Sequence, residues 1–198
     1  MSKWKKCRIC RKKFELELPK QLVCGPTCAL ALNVKNKAKE YNKETKRLKT
    51  AFDSKDTKKQ LDLTQKVFNK MRKLEELKWF RDRGLEPTCI SCNKPNMDWC
   101  TGHFKTVGAQ GNLRFDRVNT YLQCNRYCNC GKSGNIEGCK NTRGYKKGLF
   151  ERFGEQEAEF IIGYCETNTA PRKWDCDELI EMRKGFAKRV RELENEAS

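Results

Sequence analysis

The chain has 198 residues, enough for one ordinary domain or two small ones. Its hydrophobic fraction of 37 % barely exceeds its charged fraction of 35 %, which excludes a single large core and favours small units tied by metal and joined by exposed helix. A formal net charge of +17 points to a polyanionic partner, because each Lys or Arg that neutralises a phosphate releases a condensed counterion.

Residues 1–60 hold 18 Lys plus Arg against 6 Asp plus Glu, so the basic excess is concentrated at the start. No stretch approaches the 18 apolar residues of a membrane span. The opening MSKWKKCRIC has basic residues but no apolar region, so no secretory signal is expected and a reducing cytosol is the expected compartment. Thirteen cysteines in such a compartment are not expected to form a disulfide framework; their odd number and close pairing favour metal. With one histidine in the chain, a finger of two cysteines and two histidines is excluded, and structural zinc must be held by cysteine or nearly so.

In chain order, the first unit (1–33) contains CRICRKKFELELPKQLVCGPTC. Cys7 and Cys10 form a CxxC pair, and Cys24 and Cys28 a CxxxC pair, a spacing that suits one tetrahedral Zn²⁺. Alternation around Phe14, Leu16 and Leu18 predicts a short hairpin, and Gly25-Pro26 a tight turn before the second pair. A basic helical arm or linker (34–83) follows, nearly free of Gly and Pro. Asp53 and Ser54 interrupt it and are candidate caps for a second helix. That helix carries Val67, Met71, Leu74 and Leu77 at spacings of four and three, with Phe68 and Phe80 beside the stripe. The part from Val34 to Thr50 has few apolar residues and reads as exposed.

The third unit (84–141) carries the chemistry. Cys89, Cys92, Cys124 and Cys128 form a second quartet, and His103 lies between its two pairs. Imidazole has a pKa near 6.5 and suits a general base at neutral pH. The last unit (142–198) is expected to be helical, with Leu149, Phe150 and Phe153 before Gly154, then Ala158, Phe160, Ile161 and Ile162. Asp175 and Glu178 make a capping box for a terminal helix bearing Leu179, Met182, Phe186, Val190 and Leu193, expected to pack on the third unit.

CISC, WCTGHFKTVGA, LRFDRVN, QC, CN and KSGN occur in this order. The pattern resembles HNH nucleases and, more closely, the phage NinG/Rap family of recombination endonucleases, over essentially the whole chain. The resemblance implies a small zinc-stabilised α+β fold. Its HNH core (ββα-metal, treble-clef-like) would be flanked by long helices and preceded by a four-cysteine zinc finger. It implies a metal-dependent endonuclease cutting branched DNA, including Holliday junctions and strand-invasion joints, in the host cytoplasm. His103 would be the general base, Asn119 the middle Asn that holds its turn, and Asn129 a ligand of a catalytic Mg²⁺ or Mn²⁺. The two quartets would hold structural zinc, one ion each.

The family's Asp or His three residues before the base is here Cys100, a thiol that suits Mg²⁺ poorly, so Cys100 and Asp98 both stand as candidate metal ligands. One extra residue separates Cys124 from Cys128, which leaves Cys130 as an alternative fourth zinc ligand. Lys105, Arg114 and Lys132 are candidate phosphate contacts on charge and position. Symmetric cutting of a four-way junction is most simply done by a homodimer. The competing reading is a non-catalytic two-zinc DNA-binding accessory or regulatory protein. A nuclease without branch preference is the third.

Overall fold

A computed structural model of the chain describes residues 4–129, 136–138 and 143–197. The described part is α+β, with two two-stranded sheets and five α-helices, and divides into two compact units, Met1–Ser54 and Lys55–Ser198. No helix among the described residues is long and apolar enough to cross a membrane.

In the first unit, β1 (Trp4–Lys6) pairs antiparallel with β2 (Lys13–Glu15) around the Cys7–Cys10 turn. Phe14 is buried as the alternation predicts, whereas Leu18 is exposed. Gly25 and Pro26 open α1 (Pro26–Asp53), with Pro at the first turn, where no N–H is needed. None of the residues of α1 is buried.

The second unit begins with α2 (Thr57–Asp82), capped by Asp56, whose side chain accepts from the Lys59 amide at 3.1 Å. The cap is therefore Asp56 and not Asp53 or Ser54, which end α1. The buried face of α2 runs Gln60, Thr64, Phe68, Met71, Arg72, Glu76 and Phe80, rotated from the expected stripe so that Val67 and Leu77 are only half-buried. The antiparallel strands β3 (Trp99–His103) and β4 (Thr120–Cys124) pair from Trp99 opposite Cys124 to His103 opposite Thr120.

Helices α3 (Tyr145–Phe153) and α4 (Glu155–Thr167) meet at Gly154, whose φ of 81° makes it the residue able to end one helix and start the next without strain. Tyr145, Leu149, Ala158, Ile161, Ile162 and Cys165 join Ile90, Phe104, Leu113 and Tyr121 in one core. Phe160, although apolar, faces solvent. Helix α5 (Cys176–Asn195) starts at Asp175, whose carboxylate accepts from the amides of Asp177 and Glu178. Glu178 pairs with Arg172 instead of completing the box.

The terminal helix packs chiefly on α2, which corrects the expectation that it covers the third unit. Phe186, Val190 and Leu193 meet Phe68 and Met71, and the Thr64 hydroxyl donates to the Leu179 carbonyl at 3.0 Å. Lys70–Glu194 and Lys78–Glu196 follow in the same order, so the two helices run parallel. Phe115 extends this cluster, meeting Phe68 and Trp174 edge to face and Phe186 at a tilt.

Polar residues of α2 fasten the hairpin. Arg72 donates to the Thr120 carbonyl at 2.8 Å and to its hydroxyl at 3.0 Å, while Glu76 accepts from the Leu122 amide at 3.2 Å. Glu76 also pairs with Arg72 at 3.1 Å and Arg152 at 3.4 Å, and all three side chains are at most 9 % exposed. Removing the shared carboxylate leaves buried cations short of a partner, so Glu76→Ala is expected to destabilise the second unit by about 3–5 kcal/mol. The midpoint of urea unfolding checks this.

Candidate functional site

The two cysteine quartets are the same local structure built twice. The Cys7 amide donates to the Lys12 carbonyl at 2.9 Å, and the Cys89 amide to the Lys94 carbonyl at 3.1 Å. The Arg11 amide donates back to Cys7 and the Asn93 amide to Cys89, and both Arg11 and Asn93 adopt positive φ, 63° and 59°. The residue before each turn bridges to the residue three past it, Lys6 to Lys13 and Thr88 to Pro95. The residue after the first cysteine then bonds to the residue two before the third, Arg8 to Leu22 at 3.0 Å and Ile90 to Leu122 at 2.9 Å. In each copy the last cysteine lies in the opening turn of a helical segment, Cys28 in α1 and Cys128 in a π-helical turn (Asn125–Asn129).

Within each quartet the sulfurs all lie within 4.8 Å of one another. The individual separations include 3.6 Å for Cys10–Cys24, 3.7 Å for Cys24–Cys28 and 3.9 Å for Cys92–Cys124. A tetrahedral zinc with Zn–S bonds of about 2.3 Å puts its sulfurs about 3.8 Å apart. Each quartet therefore fits one Zn²⁺. The electrostatics agree. Against the cost of desolvation, amides aimed at Cys7 hold its thiol down to about 6, and amides of Cys124, Cys92 and Ser91 lower that of Cys89. Contact with neighbouring sulfurs pushes Cys24 up to about 12, and burial raises Cys128 well above the usual thiol range. Four thiolates at this spacing coexist only around a cation. Cys128 is thus the fourth member of the second quartet; Cys130 lies outside the described residues.

The second copy differs by what lies between its cysteine pairs: β3, a loop and β4. Asn119 closes that loop. Fully buried, it accepts from the Lys105 amide at 2.7 Å and donates to the carbonyls of Lys105 at 3.0 Å and Leu113 at 3.2 Å. The loop's 3-10 turn (Gly111–Leu113) delivers the Arg114 carbonyl to 3.0 Å from His103 Nε2. A carbonyl oxygen only accepts, so the neutral ring carries its proton on Nε2 and keeps a lone pair on Nδ1. Burial lowers the pKa of His103 below 6.5, so the ring is neutral at pH 7.

Gly102 is demanded by a close approach. A Cβ there would stand 2.3 Å from Gln123 Oε1, and the Gln123 amide donates to the Ser91 hydroxyl at 2.7 Å beside the zinc turn. The Gly102 carbonyl accepts from the Tyr145 hydroxyl at 2.9 Å, which fixes the strand from the α3 side. On the α2 side, the Thr101 hydroxyl donates to the Asn69 carbonyl at 2.7 Å.

The remaining candidates spread over this frame. Cys100 donates to the Gln123 carbonyl at 3.3 Å and lies near Asn129 and Asp98; burial pushes its thiol up to about 12. Asn129 is exposed at the end of the π-helical turn. Lys105 pairs with Glu166 at 3.4 Å, and the Arg114 guanidinium reaches Gln65 at 3.4 Å. Lys132 lies outside the described residues. Sequence reasoning missed Asn69, Ser91, Gln123 and Tyr145, which brace the histidine strand, and Gln65, which meets the Arg114 guanidinium. Only Gly102 beside the histidine signalled that something packs close.

A family model described as "Bacteriophage Lambda NinG protein" matches residues 1–196. Among curated relatives, "Protein ninG" of Escherichia phage 933W is 28 % identical over 203 residues, covering 98 % of this chain and 96 % of its own. The proteins of that name from Escherichia phage lambda and Salmonella phage P22 are each 27 % identical over 198 residues, covering 96 % of this chain and 92 % of theirs. No solved structure gives a significant match.

Proposed function

The chain belongs to the NinG family, and from that premise we propose that it is a DNA endonuclease that cuts branched recombination intermediates, with His103 as the base that activates water. The observation that carries this reading is the single imidazole of the chain, held neutral with Nε2 tied to the Arg114 carbonyl by a loop that Asn119 closes. A histidine needed only for packing has no use for such a bracing set.

In the proposed step, His103 Nδ1 takes a proton from water as the water oxygen attacks phosphorus. The bond from phosphorus to the leaving oxygen breaks, and that oxygen takes a proton from solvent. Arg114 and Lys105 supply positive charge beside the phosphate. The HNH-type core is part of this proposal, as is the assignment of Asn119 as the residue that positions the base.

A catalytic Mg²⁺ or Mn²⁺ would stabilise charge developing on the phosphate. Such cations seek oxygen ligands. Among the described residues the hard donors beside Cys100 are Asn129 and Asp98, and a thiol raised to about 12 is a poor ligand. Cys100 and His103 also lie three residues apart on β3, about 10 Å, and on opposite faces of the strand. This donor set fits a hard cation at His103 poorly, so the cation enters here only as a variable of the experiment.

The test is cleavage of a synthetic four-way junction beside linear duplex of the same sequence, at low salt, in Mg²⁺, Mn²⁺ or chelator. Faster cutting of the junction supports the proposal. Tight binding of both substrates with cutting of neither overturns it and leaves a two-zinc DNA-binding protein.

A further inference from the structure

Helix α1 is 28 residues long, about 42 Å, and buries none of its residues. A helix that packs on nothing is marginal in water, so its sequence should show what else it meets. Val34, Tyr41 and Leu48 recur every seven residues, and Ala31, Ala38, Thr45 and Phe52 fall three residues before or four after them. This is an alternating 3-4 spacing sustained from Ala31 to Phe52 with no charged residue in it. A heptad seam of this kind is the pattern that a second helix covers. Its large members stand open: Val34 is 69 % exposed, Tyr41 72 %, Leu48 59 % and Phe52 75 %.

We propose that α1 pairs with α1 of a second copy of this chain in a two-stranded coiled coil, with Val34, Tyr41, Leu48 and Phe52 in the seam. The flanking charges favour a second copy as the occupant. In the parallel, in-register arrangement Glu44 lies against Lys49 of the other helix, and Lys37 against Asn42. In the fully overlapped antiparallel arrangement Glu44 lies against Lys37. Neither brings like charges together along the seam, although α1 carries seven Lys and Arg. Glu44 pairs with Arg47 of its own helix at 2.8 Å and is placed to share its charge. Lys39, Lys43 and Lys46 lie on the outer face, turned away from the seam and placed to meet phosphate. The small residues at Ala31 and Ala38 narrow the seam toward the zinc quartet.

The association is independent of the nuclease reading and is tested without DNA. Sedimentation equilibrium of the zinc-loaded full chain should give twice the chain mass of 23.2 kDa. Tyr41→Lys combined with Leu48→Lys should give the monomer mass with zinc content unchanged, while Lys39→Glu on the outer face should remain dimeric. Glu44→Lys should weaken the dimer, and a second change, Lys49→Glu or Lys37→Glu, should restore it and identify the orientation. A monomeric wild type, or a dimer indifferent to the seam variants, overturns the proposal.

Discussion

Cys89→Ser is expected to lower the zinc content from two ions per chain to one and to abolish cooperative unfolding of the second unit. Cys89 is buried beneath the hairpin, and its sulfur accepts the Cys124 amide at 3.3 Å, so it joins the zinc turn to the end of β4. A structural zinc contributes about 10–16 kcal/mol of apparent binding free energy in small fingers, as much as a domain's whole stability of about 5–15 kcal/mol. The apolar core around Leu149 and Ile161 is too small to offset that loss. Cys10→Ser should also remove one zinc but leave the melting of residues 55–198 unchanged, because its quartet belongs to the other unit. Metal analysis and thermal melts followed by circular dichroism check both. Acid should act like a chelator: as pH falls, protons compete for thiolates that only the cation keeps ionised.

His103→Ala is expected to slow junction cleavage by about a hundred- to ten-thousand-fold, the usual contribution of a positioned general base. Junction affinity and zinc content should stay near wild type, because His103 belongs to neither quartet and its Nε2 meets only a backbone carbonyl, that of Arg114. Binding by fluorescence anisotropy and cleavage under single-turnover conditions separate the two effects. A loss of zinc or of melting temperature comparable to that in Cys89→Ser would instead mean that the ring serves packing.

What the sequence makes legible here is what depends on short spacings. Cys7–Cys28 and Cys89–Cys128 announce their quartets because a zinc turn needs two cysteines three apart and a second pair at a helix start. The hairpin at Phe14, the terminal-helix cap at Asp175 and the break at Gly154 are equally local. The rest depends on partners distant in the chain. Which face of α2 is buried follows from Arg72 and Glu76 reaching β4, and charged residues give no apolar signal for that. The docking of α5 on α2 needed Phe115 and Trp174 to complete its aromatic cluster. The seam of α1 is hard to see because Ala and Thr hold three of its seven positions, so the segment reads as a plain basic arm. The likeness of the two quartets was also hidden. The second has 31 residues between its pairs and the first 13, and only the hydrogen bonds show the common turn.

The most direct measurement is the pH dependence of single-turnover cleavage of a four-way junction by wild type and His103→Ala. A base must be deprotonated to act, and burial places the His103 pKa below 6.5. The wild-type rate should therefore rise about tenfold per pH unit in acid and level off through a pKa below 6.5. The variant should be slow and lack that step. A variant that cuts as fast as wild type, with the same pH profile, would contradict the assignment of His103 as the base.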